Sequence, residues 1–191
     1  MARARKCVAL LMRPRRSSCG LSLGGYPCQN NRGASEEPRM LIALLDLLRL
    51  RARVERVLVR YTGYSLLSRH VTRRIGVPYV PTLLLVSSGR RSGELRESPL
   101  FYFEDGDDYF VVGSIGGSPR QPAWYHNLLA DPRAWVYVRR RRIPVLASLI
   151  EGEDRERLWP IAARAYPRYD EMIAEAYPRE IPLVRLSPRS G

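Results

Sequence analysis

Beyond Gly76 the chain is written as short apolar runs cut by turns, and this punctuation constrains the fold more than any other feature. Thr82–Val86, Ser98–Phe103 and Tyr109–Val112 are runs of strand length, separated by Gly89-Arg90-Arg91-Ser92-Gly93 and by Asp105-Gly106-Asp107-Asp108. Such spacing predicts three antiparallel strands in a meander. Two further strands, Ala134–Val138 and Val145–Ile150, are joined through Arg139-Arg140-Arg141-Arg142, and Ile181–Leu186 reads as a last strand. Between them lie three helical segments: Pro122–Ala130 with proline in its first turn, Glu153–Ala165, and Tyr169–Ala176. Some six strands with no regular strand–helix alternation predict an α+β domain around a small antiparallel barrel.

Ahead of that domain the pattern differs. From Met40 to Tyr61, Leu41, Leu44, Leu45 and Leu48, and then Leu47, Leu50, Val54, Val57 and Tyr61, recur at helical spacing, as do Arg49, Arg53, Arg56 and Arg60. Such a helix either packs its leucines on the domain and leaves arginine in solvent, or lies flat on an anionic membrane surface. Nowhere are there enough continuous apolar residues to span a bilayer. The expected organisation is a disordered basic tail over 1–39, an amphipathic helical segment over 40–75 and the barrel domain over 76–191. Residues 1–40 carry eight basic residues against Glu36 and Glu37, and they hold all three cysteines, Cys7, Cys19 and Cys28, at spacings that make no zinc site. The tail lacks a signal-peptide apolar core. An upstream gene-model extension ahead of a natural start at Met40 is an equal alternative.

Composition narrows the chemistry. The chain has 191 residues and a net charge of +13, with 32 Lys+Arg of which only Lys6 is lysine. That arginine bias by itself proves no nucleic-acid partner, and none is expected. With His70 and His126 as the only imidazoles and no nucleophile elbow, zinc helix or Walker loop, hydrolytic chemistry has little to work with. A Rossmann site lacks both its glycine loop and its strand–helix–strand frame. What remains is an anion-binding constellation. Gly89-Arg90-Arg91-Ser92-Gly93 and Arg96 gather three guanidinium groups and a hydroxyl between glycine corners, suited to phosphate and carboxylate. Downstream, Gly113-Ser114-Ile115-Gly116-Gly117 lets a flat ring approach the backbone closely, and Trp124-Tyr125-His126-Asn127 follows on a short helix.

Those residues carry a resemblance. Leu85–Arg96, Pro99-Leu100-Phe101-Tyr102, Gly113–Gly117, Pro122–Leu128, Asp131-Pro132 and Tyr166-Pro167 with Tyr169 occur in the order found in the deazaflavin-dependent nitroreductase family, and the chain resembles its F420H2-dependent quinone reductases from about Pro81 to Leu186. The resemblance implies a split β-barrel binding coenzyme F420, an 8-hydroxy-5-deazaflavin with a ribityl phosphate and an oligoglutamate tail. It implies hydride transfer to a quinone, a nitroaromatic or an activated alkene. Carried over by position, Arg90, Arg91, Ser92, Arg96, Glu97, Ser98, Pro99, Leu100 and Phe101 would cradle phosphate and tail. Val112, Gly113 and Ser114 would line the ring, and Ala123, Trp124, Tyr125, His126 and Asn127 would close the site. Ser114, Tyr166 and Tyr169 are the candidate donors to the acceptor oxygen. Arg91 stands where lysine is common, Phe101 where a tyrosine occurs, and Met172 where a third lid tyrosine is expected. An FMN-binding split barrel and a non-enzymatic basic binder of membranes or nucleic acid are the rival readings. The expected setting is the cytoplasm, with peripheral contact at the inner membrane face through Met40–Tyr61.

Overall fold

The computed structural model describes residues 37–189. Residues 1–36 of the expected basic tail, its cysteines included, fall outside them, while 37–39, expected to be disordered, form the start of the first helix. Its elements in chain order are α1 (Glu37–Thr62), α2 (Leu66–Arg74), β1 (Thr82–Ser88), β2 (Leu95–Asp105), β3 (Asp108–Val112), α3 (Ala123–Ala130), β4 (Arg133–Val138), β5 (Arg141–Ile150), α4 (Gly152–Ala165), α5 (Arg168–Ala176) and β6 (Leu183–Pro188). The six strands close into an antiparallel barrel in the order β1-β2-β3-β6-β5-β4. The expected barrel is therefore present, with β6 inserted between β3 and β5.

Alternation along each strand sorts side chains between two cores. Leu83, Leu85, Tyr102, Val111, Val136, Val138, Val145, Val184 and Leu186 come from all six strands and fill the interior, with Trp124 and Leu128 of α3 plugging one end. Phe103, Phe110, Val112, Ile150 and Leu183 face outward and are covered by Leu158, Ala162, Tyr166, Tyr169 and Met172 from α4 and α5. On another outer face, α1 lies along β1, β2 and β4.

Local details depart from the sequence reading in instructive ways. β2 begins at Leu95, three residues before the expected Ser98, so that Arg96 sits on the strand opposite Ser87 rather than in the turn. The last strand begins at Leu183 instead of Ile181, because Pro182 precedes it and its carbonyl instead receives the Gly113 N–H at 2.8 Å. Helix α2 lies inside the helical segment expected over 40–75, where no separate helix was drawn. Its signal was Ser65, whose side chain accepts the Ser68 N–H and caps the helix. Arg139 and Arg140 turn β4 into β5 with φ of 46° and 72°, a left-handed pair in which glycine or asparagine is the usual occupant.

Helix α1 inverts one expectation. Arg56 and Arg60 reach Glu97 on β2, and Arg60 also lies 4.9 Å over the Tyr137 ring, so arginines help fasten the helix to the barrel. Val59 is fully buried beneath it. Leu44, Leu47, Leu48, Leu50, Val54 and Val57 are 45–55% exposed or slightly more, and they are the groups left facing solvent. Among the described residues no helix is long and apolar enough to cross a membrane.

Candidate functional site

Three pieces of backbone build the candidate site, and each forms for a local reason. The first is the β1–β2 hairpin. Gly89 donates its N–H to the Glu94 carbonyl at 2.8 Å and accepts that of Gly93 at 2.7 Å, while Ser92 Oγ accepts the Glu94 N–H at 3.3 Å. Gly93 sits at φ 69°, where a side chain is disfavoured. The closed turn leaves Arg90 and Arg91 exposed, and neither forms an ion pair among the described residues. Arg96 is held by Glu94 at 2.6 Å.

The second piece, α3, fixes that hairpin from within. Asn127 is buried, its Oδ1 accepting the Arg90 N–H at 3.1 Å and its Nδ2 reaching Ser87 Oγ at 3.4 Å. Trp124 goes into the barrel interior, whereas Tyr125 and His126 are half-buried and Ala123 is exposed. Burial raises the pKa of the Tyr125 phenol, and Glu151 and Glu180 add to the shift.

The glycine corner after β3 is the third piece. Val112 is buried in the outer core, and Ser114 opens a single 3-10 turn over Ile115–Gly117 with helical backbone angles of −75° and −37°. Ile115, Gly116 and Gly117 then take positive φ of 44°, 58° and 81°. Helix α5 packs on this turn. At Gly117 a Cβ would come within 2.7 Å of the Glu175 Cβ, so glycine is required there for close approach as well as for backbone angle.

Above the corner, Tyr166 caps the end of α4 and Tyr169 lies in the first turn of α5, with Pro167 between them. Tyr166 meets Phe101 edge-on at 5.2 Å and Tyr169 at 5.1 Å. Tyr166 thus touches strand β2 through Phe101, and Tyr169 packs behind it on Tyr166. Burial raises both phenols, Tyr169 the more strongly, with the Tyr166 hydroxyl as a lesser cause for Tyr169. Each stays a neutral donor at ordinary pH. Met172 is buried beside them.

The remaining expected residues are placed as follows. Glu97 is engaged by Arg56 and Arg60 of α1. Ser98, Pro99 and Leu100 pair with Leu85, Leu84 and Leu83 along β1 and carry the strand to Phe101. Arg179, which sequence reading missed, donates to carbonyls of the glycine corner from the segment between α5 and β6. No local motif marks it, since its partners are more than sixty residues upstream.

A closed antiparallel barrel bearing an arginine turn and a glycine corner, joined by one short helix, defines a split-barrel fold. The sequence model of the F420H(2)-dependent quinone reductase family matches residues 60–188. The chain belongs to this family and is an F420-dependent reductase. It is 36% identical over 151 residues to an F420H(2)-dependent quinone reductase of Mycobacterium tuberculosis, a match covering 71% of this chain and 99% of that protein. A putative F420H(2)-dependent quinone reductase of the same organism is 37% identical over 110 residues, 58% of this chain and 92% of the relative. Among solved structures, an F420-H2 dependent reductase superposes with a TM-score of 0.52 at 36% identity, covering 56% of this chain and 94% of that one.

The donor set fits such a cofactor. Three arginines with one nearby glutamate in an eight-residue stretch leave a surplus of positive charge for a phosphate and a polycarboxylate tail. At the corner, Gly113 and Gly117 are packed against Pro182 and Glu175, while Gly116 faces open space that a flat ring would fit.

Proposed function

We propose that the chain oxidises F420H2 with a quinone as its preferred acceptor, activated alkenes and nitroaromatics being alternative acceptors of the same chemistry. The observation that carries this reading is Asn127, which ties the exposed Arg90–Arg91 turn to the helix that follows the glycine corner. Bound reduced deazaflavin supplies the hydride. Arg90, Arg91, Ser92 and Arg96 hold phosphate and tail, and residues Val112–Ser114 and Ala123–Asn127 frame the ring and its sugar-like chain. Negative charge that grows on the acceptor oxygen needs a donor, and Ser114 Oγ, Tyr166 and Tyr169 are the side chains we assign to that role. The two phenols, held protonated by burial, donate without ionising.

The test is oxidation of F420H2 followed in parallel with menadione, a nitroaromatic and an enone. Quinone turnover should be fastest, and an enone or nitroaromatic that outruns menadione refutes the preference. A titration with FMN alongside F420 separates the rival cofactor, since FMN binding with no response to F420 would overturn the reading of the site.

The exposed apolar residues of α1 support a peripheral membrane role, which would bring the site to a bilayer in which quinones dissolve. Vesicles of anionic phospholipid should retain the protein in flotation, and Leu47→Glu with Leu50→Glu should release it. Retention unchanged in the double variant rules out α1 as the contact.

A further inference from the structure

The glycine corner has a shape that its own sequence does not sustain. Ser114 in right-handed helical conformation followed by Ile115 and Gly116 in left-handed conformation turns successive N–H groups toward one concave side, an arrangement that receives an anionic oxygen. The Gly113, Gly117 and Ser118 N–H groups are used by the carbonyls of Pro182, Ser114 and Ile115. Those of Ser114, Ile115 and Gly116 have no acceptor among the described residues. Ile115 resists this geometry, because a β-branched residue at φ 44° crowds its own carbonyl, so something outside the turn must hold it.

Arg179 is that external hold. Its Nη1 donates to the Gly113 carbonyl at 3.0 Å, Nη2 to the Ser114 carbonyl at 2.9 Å and Nε to the Ser118 carbonyl at 2.9 Å. Nη1 also donates to Gln121 Oε1 at 3.1 Å, and Gln121 in turn donates Nε2 to the Glu180 carbonyl at 2.9 Å. A rigid guanidinium fork thus grips both ends of the corner by their carbonyls, leaving the three N–H groups directed elsewhere. Arg179 forms no ion pair with a carboxylate among the described residues, so its charge is met by peptide dipoles and the Gln121 side-chain amide.

We propose that Arg179 is a positioning residue for the deazaflavin ring: its fork holds residues 113–118 in the strained turn that offers the Ser114, Ile115 and Gly116 N–H groups to an anionic oxygen of the bound cofactor. This rests on the reading of the corner as the ring site. It assigns Arg179 to geometry and Arg90, Arg91 and Arg96 to affinity, since the tail carries most of the cofactor's charge.

The experiment compares wild type with Arg179→Ala and Arg179→Lys, using three readouts. Amide hydrogen exchange on cofactor-free protein should accelerate in the peptide spanning 113–121 and stay unchanged in β4 and β5. Single-turnover hydride transfer to menadione should fall by about tenfold to a hundredfold in both variants, while F420 affinity moves less than about threefold. Lysine fails because an ammonium cannot reproduce a planar fork, and added guanidinium should restore part of the rate to Arg179→Ala but none to Arg179→Lys. Unchanged exchange at the corner in both variants overturns the proposal, as does a rate loss that only tracks a lower melting temperature and is not rescued by guanidinium. Wild type that ignores F420 overturns the ring-site reading and with it this role for Arg179. That outcome is distinguishable, because corner exchange still responds to the variants.

Discussion

Asn127 divides its amide between two parts of the chain, and neither Ser nor Ala can replace it. Asn127→Ala leaves the part-buried Arg90 N–H and the buried Ser87 Oγ without these partners, so a stability loss of about 1–3 kcal/mol is expected by chemical denaturation, with weaker F420 binding because the turn is loosened. Gly116 and Gly117 make a second residue-scale comparison. Both have positive φ, but a Cβ at Gly116 meets nothing within 4 Å while one at Gly117 runs into Glu175. Gly116→Ala should cost about 1 kcal/mol from backbone strain and Gly117→Ala distinctly more, again by denaturant melts. Equal losses would show that Glu175 yields freely. The phenols give a pH prediction. Their pKa values are raised above the ordinary value of about 10, so the folded state holds these protons more tightly than the unfolded chain. The resulting stabilisation is whole below about pH 10 and is lost as pH rises from there through the folded values. Thermal melts between roughly pH 8 and 11 should show a shallower alkaline decline for Tyr169→Phe than for wild type.

At the scale of elements, the β1–β2 hairpin and α1 carry the sharper consequences. Arg91 is exposed and has no carboxylate partner among the described residues, whereas Arg96 is shared with Glu94. Arg91→Ala and Arg96→Ala are expected to weaken F420 binding by roughly 1–3 kcal/mol for each lost charge-assisted contact, with the larger loss at Arg91. Glu94→Gln should tighten binding, and fluorescence titration reads all three. For α1, Glu97→Gln removes the anchor of Arg56 and Arg60 on a partly exposed surface, a loss of roughly 1 kcal/mol or less in global stability. Its clearer sign should be faster proteolysis within residues 37–62. The hairpin was legible in the sequence because its chemistry is local: glycines, serine and arginines adjacent along the chain. The strands were legible too, as apolar runs between turn residues. Helix α1 was legible as a helix but not in its orientation, since nothing in its periodicity says that Arg56 and Arg60 meet a glutamate on β2. The Asn127 and Arg179 contacts join positions 37 to 66 residues apart, and no periodicity reports such pairs.

For the whole molecule, the distribution of the site over residues 87–179 fixes what trimming does. A chain beginning at Glu37 should keep F420 binding and hydride transfer, because every candidate residue and every contact described here is retained. Removing α1 as well uncovers Leu84 and Val86, which face away from the barrel interior and are buried. Each such side chain contributes about 1.5–3 kcal/mol, so that shorter chain should melt well below the longer one, and equal melting temperatures would refute the covering role of α1. The position of β6 has a different kind of consequence. It is the last strand in order, yet it pairs with the third and the fifth and so completes the ring. During synthesis the first five strands wait as an open sheet with two unsatisfied edges, next to each other in space but with nothing to join them. Folding is thus dominated by late, distant pairing, which is slow, and the growing chain passes through a period in which its sticky edges are exposed to neighbours. A protein whose finished form offers no free edge is most vulnerable to aggregation just before that form exists.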